Sequence, residues 1–66
     1  DTKIIKDVTQ SNFQYKILEL RVYTPVALRV YFNELDGFVN LISIEQKSNA
    51  DQNEDIKKAH TKYKNM

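Results

Sequence analysis

The sequence predicts an α+β domain in which a three-stranded antiparallel β-meander is followed by a C-terminal helix. Three observations carry this prediction. Aromatic and β-branched residues are concentrated in residues 13–46, as is typical of strands. Turn-forming residues interrupt this zone twice, at Thr24-Pro25 and at Asp36-Gly37. After a polar loop, apolar residues recur at helical spacing near the end of the chain.

The first strand is predicted within the run FQYKILELRVY, residues 13–23. Apolar residues occupy odd positions up to Ile17 and even positions from Leu18 onward. This switch predicts either a bulge or a strand that is covered on both faces. The residues before this strand, 1–12, are polar, and we interpret them as a frayed lead-in at the end of an upstream helix.

The second strand has the clearest alternation in the chain. Over residues 26–32 the even positions are apolar, and we therefore expect the even side chains to face a core. Asp36-Gly37 then predicts a hairpin turn, because glycine accepts a positive φ. The third strand is predicted over residues 38–46. The short turns make neighbouring strands antiparallel.

The helix is predicted over about residues 54–64. One helical face carries residues at the spacing i, i+3, i+4, i+7, namely Ile56, Ala59, His60 and Tyr63. Asp51 and Glu54 fit a capping box at its start. Acidic residues occupy its first turn and lysines its last turn, which is the arrangement that the helix dipole favours.

Length and composition limit the kinds of domain and of site that this chain can form. A chain of 66 residues forms one domain with a small core, so we expect a partner chain to contribute stability. The sequence has no cysteine and one histidine, so it predicts neither a disulfide nor a metal or cofactor site. It has no apolar run long enough for a membrane helix, and we expect a cytoplasmic protein. A net charge of +1 argues against general polyanion binding.

Two arginines are the strongest candidates for chemistry. Parity places each on a strand face with polar and aromatic neighbours: Glu19, Arg21 and Tyr23 on the first strand, and Ala27, Arg29 and Tyr31 on the second. Antiparallel pairing across a tight turn brings the two sets side by side. Arginine pairs bidentately with phosphate, and aromatic rings stack on unpaired bases. This face therefore suits RNA.

A structural interpretation of the same residues stays open. The two arginines would extend from a solvated sheet face, with Glu19 as their partner. Lys47 would be a solvated loop residue. His60 and Tyr63 would pack between the helix and the sheet.

Four segments, in this order, carry a family resemblance: YKILELR (15–21), LRVYF (28–32), VNLISIEQKS (39–48) after a glycine turn, and DIKKAHTKY (55–63). The order and spacing resemble toxins of the RelE/ParE superfamily, especially the phage Gp49-like or HigB-like branch. The resemblance covers about residues 13–63.

The resemblance implies a fold of one strand, two helices, an antiparallel sheet and a final helix. Residues 1–66 would then be a single, truncated RelE-like toxin domain without the N-terminal strand and the two helices. The chain begins with Asp1 and its only methionine is Met66, so we expect further sequence upstream.

The resemblance also implies a function. Such toxins belong to type II toxin–antitoxin systems and cleave mRNA in the ribosomal A site without a metal or cofactor. Carried over by position, the catalytic residues would be Arg29, Lys47 and Tyr63. The RNA-binding residues would be Arg21, Tyr31, Lys16 and His60. The implied partners are a cognate antitoxin and mRNA on the ribosome, and a homodimer is a further expectation.

Two alternatives arise from departures within the resemblance. Glu19 stands where some members carry lysine, Gln46 precedes Lys47, and the net charge is low. These departures suggest a degenerate toxin that only binds an antitoxin. The second alternative is a ParE-like poison of gyrase.

Overall fold

The computed structural model describes residues 3–23, 26–46 and 52–66. Its elements are β1 (Lys3–Asp7), β2 (Leu18–Val22), β3 (Leu28–Leu35), β4 (Phe38–Gln46) and α1 (Gln52–Lys64). The strands form one antiparallel sheet in the order β1-β2-β3-β4. The predicted α+β fold is confirmed, with four strands instead of three. No helix in the described ranges is long and apolar enough to cross a membrane.

The additional strand is β1, so the expected lead-in from an upstream helix was wrong. β1 pairs with β2 from Lys3 opposite Val22 to Asp7 opposite Leu18. The reason is that β2 offers a strand edge whose backbone groups need partners. Pairing with that edge gives hydrogen-bond partners to backbone N–H and C=O groups of both strands.

The segment between β1 and β2 is a closed loop, so the strand predicted over 13–23 is restricted to β2. The amide of Val8 donates to the carbonyl of Ile17 at 3.0 Å, and the amide of Ile17 donates to Thr9 Oγ1 at 2.9 Å. Ile17 is fully buried in this loop. The parity switch therefore marks the end of the loop, not a bulge.

The predicted Asp36-Gly37 hairpin is confirmed. Leu35 pairs with Phe38, and the two turn residues have φ of 54° and 81°. Two positive φ angles define a type I′ turn, which matches the twist of the strands. The predicted turn at Thr24-Pro25 lies outside the described residues, and so does Asp51 of the predicted capping box.

The core lies between the sheet and α1. It consists of four buried residues from four parts of the chain: Ile17, Tyr31, Ile42 and Ala59. Ile42 reaches this side because the β3–β4 register shifts beside Tyr31, which indicates a bulge. The predicted inner face of the helix is confirmed. Ala59 and His60 are buried, while Ile56 and Tyr63 pack partly buried against the core.

The expectation about which face of the second strand is buried was wrong. The odd residues of β3, Arg29, Tyr31 and Asn33, are buried, whereas the even apolar residues are only half-buried. The reason is that α1 packs on the odd face and supplies partners for its polar groups. The opposite face stays open in the described structure, where Ile5 is 63% and Ile44 55% exposed.

Candidate functional site

Arg21 and Arg29 are Cα partners across β2 and β3, and Glu19 faces Tyr31 in the same way. The adjacency expected from strand parity is therefore confirmed. Like charges directly opposite each other in a sheet are destabilising unless counter-charges lie nearby. The structure supplies two such counter-charges, one from β2 itself and one from α1.

Glu19 is the first counter-charge, and its side chain is fully buried. It accepts hydrogen bonds from Arg21 Nε at 2.7 Å and from the Tyr31 hydroxyl at 2.7 Å. The Gln52 amide donates to both carboxylate oxygens at 3.2 and 3.1 Å. Burial alone raises the pKa of Glu19, but the hydrogen bonds from Tyr31, Arg21 and Gln52 together lower it below its ordinary value.

Contact with Glu19 also raises the pKa values of its two titratable donors, Tyr31 and Arg21. Burial, followed by the hydrogen bond to Glu19, raises the pKa of Tyr31, so the phenol stays protonated. Hydrogen bonds with Glu19 and Tyr23 raise the pKa of Arg21. The Arg21 side chain is 19% exposed, so it connects the buried carboxylate with solvent.

Asp55 is the second counter-charge. Its Oδ2 accepts from Arg29 Nη1 at 3.2 Å, and both residues are buried, at 1% and 6% exposure. The pairing is incomplete, because Arg29 Nε and Asp55 Oδ1 are buried with no hydrogen-bond partner. Both atoms are enclosed by the fold, so an anion reaches the free Nε of Arg29 only if the surroundings of this ion pair move.

His60 has a hydrogen bond on each ring nitrogen. The backbone amide of Gln10 donates to Nε2 at 2.9 Å, and Nδ1 lies 2.7 Å from the carbonyl of Ile56. These two contacts assign the proton to Nδ1. The ring also meets Phe13 edge-on at 4.6 Å between centroids. His60 therefore fastens the loop after β1 to α1.

Tyr63 is held by Asn33, which is buried at 1% exposure. The Tyr63 hydroxyl donates to Asn33 Oδ1 at 2.9 Å, and Asn33 Nδ2 donates to the carbonyl of Lys16 at 2.8 Å. Asn40 Nδ2 reaches the same Oδ1 at 3.1 Å. Asn33 therefore connects the loop, the sheet and the helix through one amide.

The predicted site residues occupy two separate places. Arg21, Arg29 and Tyr31 lie together beneath the first turns of α1. His60 and Tyr63 instead line an open groove of about 830 Å³ beside the last turns of α1, and its described lining includes neither arginine.

Lys16 and Lys47 are the remaining predicted residues. The side chain of Lys16 is exposed. Lys47 lies outside the described residues, so its predicted role stays a prediction.

The sequence reasoning missed three residues of these networks: Asp55, Gln52 and Asn33. One signal for Asp55 was available, since it stands four residues before Ala59 and so shares its helix face. The acid was instead interpreted only as a favourable charge in the first turn. Among the described residues, no group of three or more His, Cys, Asp and Glu side chains can hold a metal ion.

In this structure the two guanidiniums are paired with two carboxylates of the same chain, and the buried Nε of Arg29 has no hydrogen-bond partner. A scan against protein-family models and searches of curated proteins and of solved structures found no match to this chain.

Proposed function

We propose that this chain is the C-terminal part of a type II toxin of the RelE/ParE superfamily, in the HigB-like branch. The full protein cleaves mRNA on the ribosome in the cytoplasm and is held inactive by an antitoxin. One observation carries the proposal, namely that Arg21 directly faces Arg29 on one sheet face. Two neighbouring guanidiniums suit a phosphate, which they can bind once a carboxylate partner is displaced.

The chemistry proposed for this pair is electrostatic. The 2′-hydroxyl of the RNA gives up its proton to solvent and attacks the adjacent phosphorus to form a 2′,3′-cyclic phosphate. The bond from phosphorus to the 5′ oxygen of the next nucleotide breaks, and that oxygen leaves as a hydroxyl after taking up a proton. Negative charge builds on the non-bridging phosphate oxygens during this step. Arg29 and Arg21 stabilise that charge, as preorganised donors do in other enzymes. The proposed catalytic set also includes Lys47 and Tyr63, and the proposed RNA-binding set includes Lys16, Tyr31 and His60. Tyr31 and His60 are buried, and Tyr63 lines the separate groove, so these three reach the same RNA only after a rearrangement of the fold.

The geometry adds a condition to this mechanism. Asp55 on α1 occupies one edge of the Arg29 guanidinium, so phosphate has to replace that carboxylate. The first turn of α1 therefore has to move before Arg29 contacts RNA. Tyr63 likewise has to leave Asn33 before its hydroxyl can transfer a proton.

The test compares the two partners of one ion pair. Arg29→Gln and Asp55→Asn break the same contact, but only the first removes the guanidinium. Each variant is placed in the full-length gene and induced in cells, and translation and mRNA integrity are measured. We expect Arg29→Gln to abolish mRNA cleavage and Asp55→Asn to retain it. Equal loss in both variants at equal protein levels would show that the pair is only structural.

A second candidate is a non-catalytic toxin remnant that binds an antitoxin. It is favoured by the internal hydrogen bonds of five predicted site residues: Arg21, Arg29, Tyr31, His60 and Tyr63. This candidate expects antitoxin binding, normal growth and intact mRNA with the unchanged gene. Growth arrest with DNA damage and intact mRNA would instead indicate the ParE-like alternative.

A further inference from the structure

The outer edge of β4 is a long strand edge without a neighbour among the described residues. β4 has nine residues, Phe38–Gln46, and pairs on one side with β3. Along it, Val39, Leu41 and Ile44 are 63%, 55% and 55% exposed. An exposed edge presents unpaired N–H and C=O groups, which invite another extended chain.

A groove of about 440 Å³ runs between this edge and α1. Its lining includes Lys57, Lys58 and Lys62 from the helix, and Glu45 from β4 is its one acidic residue. The helix lysines are exposed. The side of the edge that faces α1 is therefore positively charged.

The two sides of the β4 edge differ in chemistry. Leu41 and Ile44 pair with Phe32 and Val30, which places them on the open apolar face of the sheet. The lysine groove lies on the other face. Side chains of an added strand alternate between the two faces. An added strand would therefore place one set of its side chains beside the lysines and the other beside Leu41 and Ile44.

We propose that the β4 edge and the lysine groove bind an extended segment of a partner protein in which acidic and apolar residues alternate. Main-chain hydrogen bonds to β4 supply affinity, as in other cases of strand addition. The acidic residues face Lys58 and Lys62, and the apolar residues extend the open face. The inference does not rest on the proposed nuclease, because no residue of the arginine pair takes part.

Two other occupants fit this surface less well. A second copy paired through its own β4 would bring a second set of helix lysines to the same edge, and like charges repel. RNA complements the lysines but leaves the backbone edge and the apolar side of β4 unused. An acidic extended peptide satisfies the backbone edge, the lysines and the apolar side together.

The experiment uses the full chain and a short fluorescein-labelled peptide of alternating glutamate and valine, with binding followed by fluorescence anisotropy. We expect Lys58→Glu combined with Lys62→Glu to weaken binding by about tenfold or more, since opposed charges become like charges. Lys64→Glu is a control on the same helix, because it changes an exposed lysine outside this groove, and the single variants Lys58→Glu and Lys62→Glu match its change in charge. We expect the control to bind like the unchanged chain.

Hydrogen exchange supplies the second measurement. The peptide should protect amides of β4 and leave those of β1, the opposite edge, unchanged. Three outcomes would overturn the proposal. The first is equal binding of a lysine–valine peptide, and the second is protection of β1 instead of β4. The third is binding of a single-stranded RNA oligonucleotide to the groove with no binding of the acidic peptide.

Discussion

Arg21 and Arg29 lie directly opposite each other on β2 and β3, but their guanidiniums bind two different carboxylates, those of Glu19 and Asp55. Glu19 stands on the same strand as Arg21, whereas Asp55 comes from α1. The docking of α1 therefore balances the charge of the sheet face. Any event that lifts the helix leaves Arg29 without its counter-charge and exposes it to other anions.

Replacing Glu19 with glutamine should strongly destabilise the fold. The change keeps the shape but removes the buried charge that holds Arg21, Tyr31 and Gln52. Hydrogen bonds to a charged group contribute about 1.5–3 kcal/mol each, so we expect a loss of at least that size. Urea denaturation measures the free energy of unfolding. Glu34→Gln is the control, because Glu34 is exposed, and equal midpoints for both variants would contradict the prediction.

Two tyrosine hydroxyls should differ in their contribution to stability. The Tyr31 hydroxyl donates to a carboxylate, whereas that of Tyr63 donates to a neutral amide. We expect Tyr31→Phe to cost about 1.5–3 kcal/mol and Tyr63→Phe about 1 kcal/mol, because hydrogen bonds to charged groups are stronger. Thermal and urea unfolding of the two variants provide the comparison. A larger loss for Tyr63→Phe would reverse the assigned order.

Acid should destabilise the protein through Glu19. Its pKa is lowered in the folded chain, so its contribution is fully present above the ordinary value of 4.5. Between the two pKa values the unfolded chain binds a proton that the folded chain does not. The free energy of unfolding therefore falls as pH drops through that window. Asp7 acts in the same direction, because hydrogen bonds from Thr9 lower its pKa.

The measurement for this prediction is the free energy of unfolding in urea from about pH 7 to about pH 3. In Glu19→Gln the curve should be flatter than in the unchanged chain, with the slope due to Asp7 remaining. Parallel curves would show that Glu19 has the same pKa in both states.

Replacing the glycine of the hairpin turn should destabilise the fold through backbone conformation and not through a steric clash. Gly37 has a φ of +81°, and a Cβ added there meets no atom within 4 Å. We expect Gly37→Ala to destabilise the fold by about 1 kcal/mol, because alanine is strained at positive φ. Gly37→Asn should cost less, since asparagine tolerates this region. An equal cost for both would point to a cause other than φ, and urea midpoints distinguish the outcomes.

Features that depend on neighbours along the chain could be predicted from the sequence. The Asp36-Gly37 turn, the range 38–46 of β4 and the inner face of α1 were all predicted, because turn chemistry and periodicity act within a few residues. The same local rules placed Arg21 beside Arg29, since a meander fixes which strands are neighbours.

The choice of the buried sheet face depends on the packing of α1. Alternation defines two faces but does not say which one a distant helix will cover, and α1 covers the face of Arg29 and Tyr31. Asp55 and Arg29 are 26 positions apart in the sequence, so no local pattern could predict that they form an ion pair. β1 is a strand for the same reason, because its conformation depends on the free edge of β2.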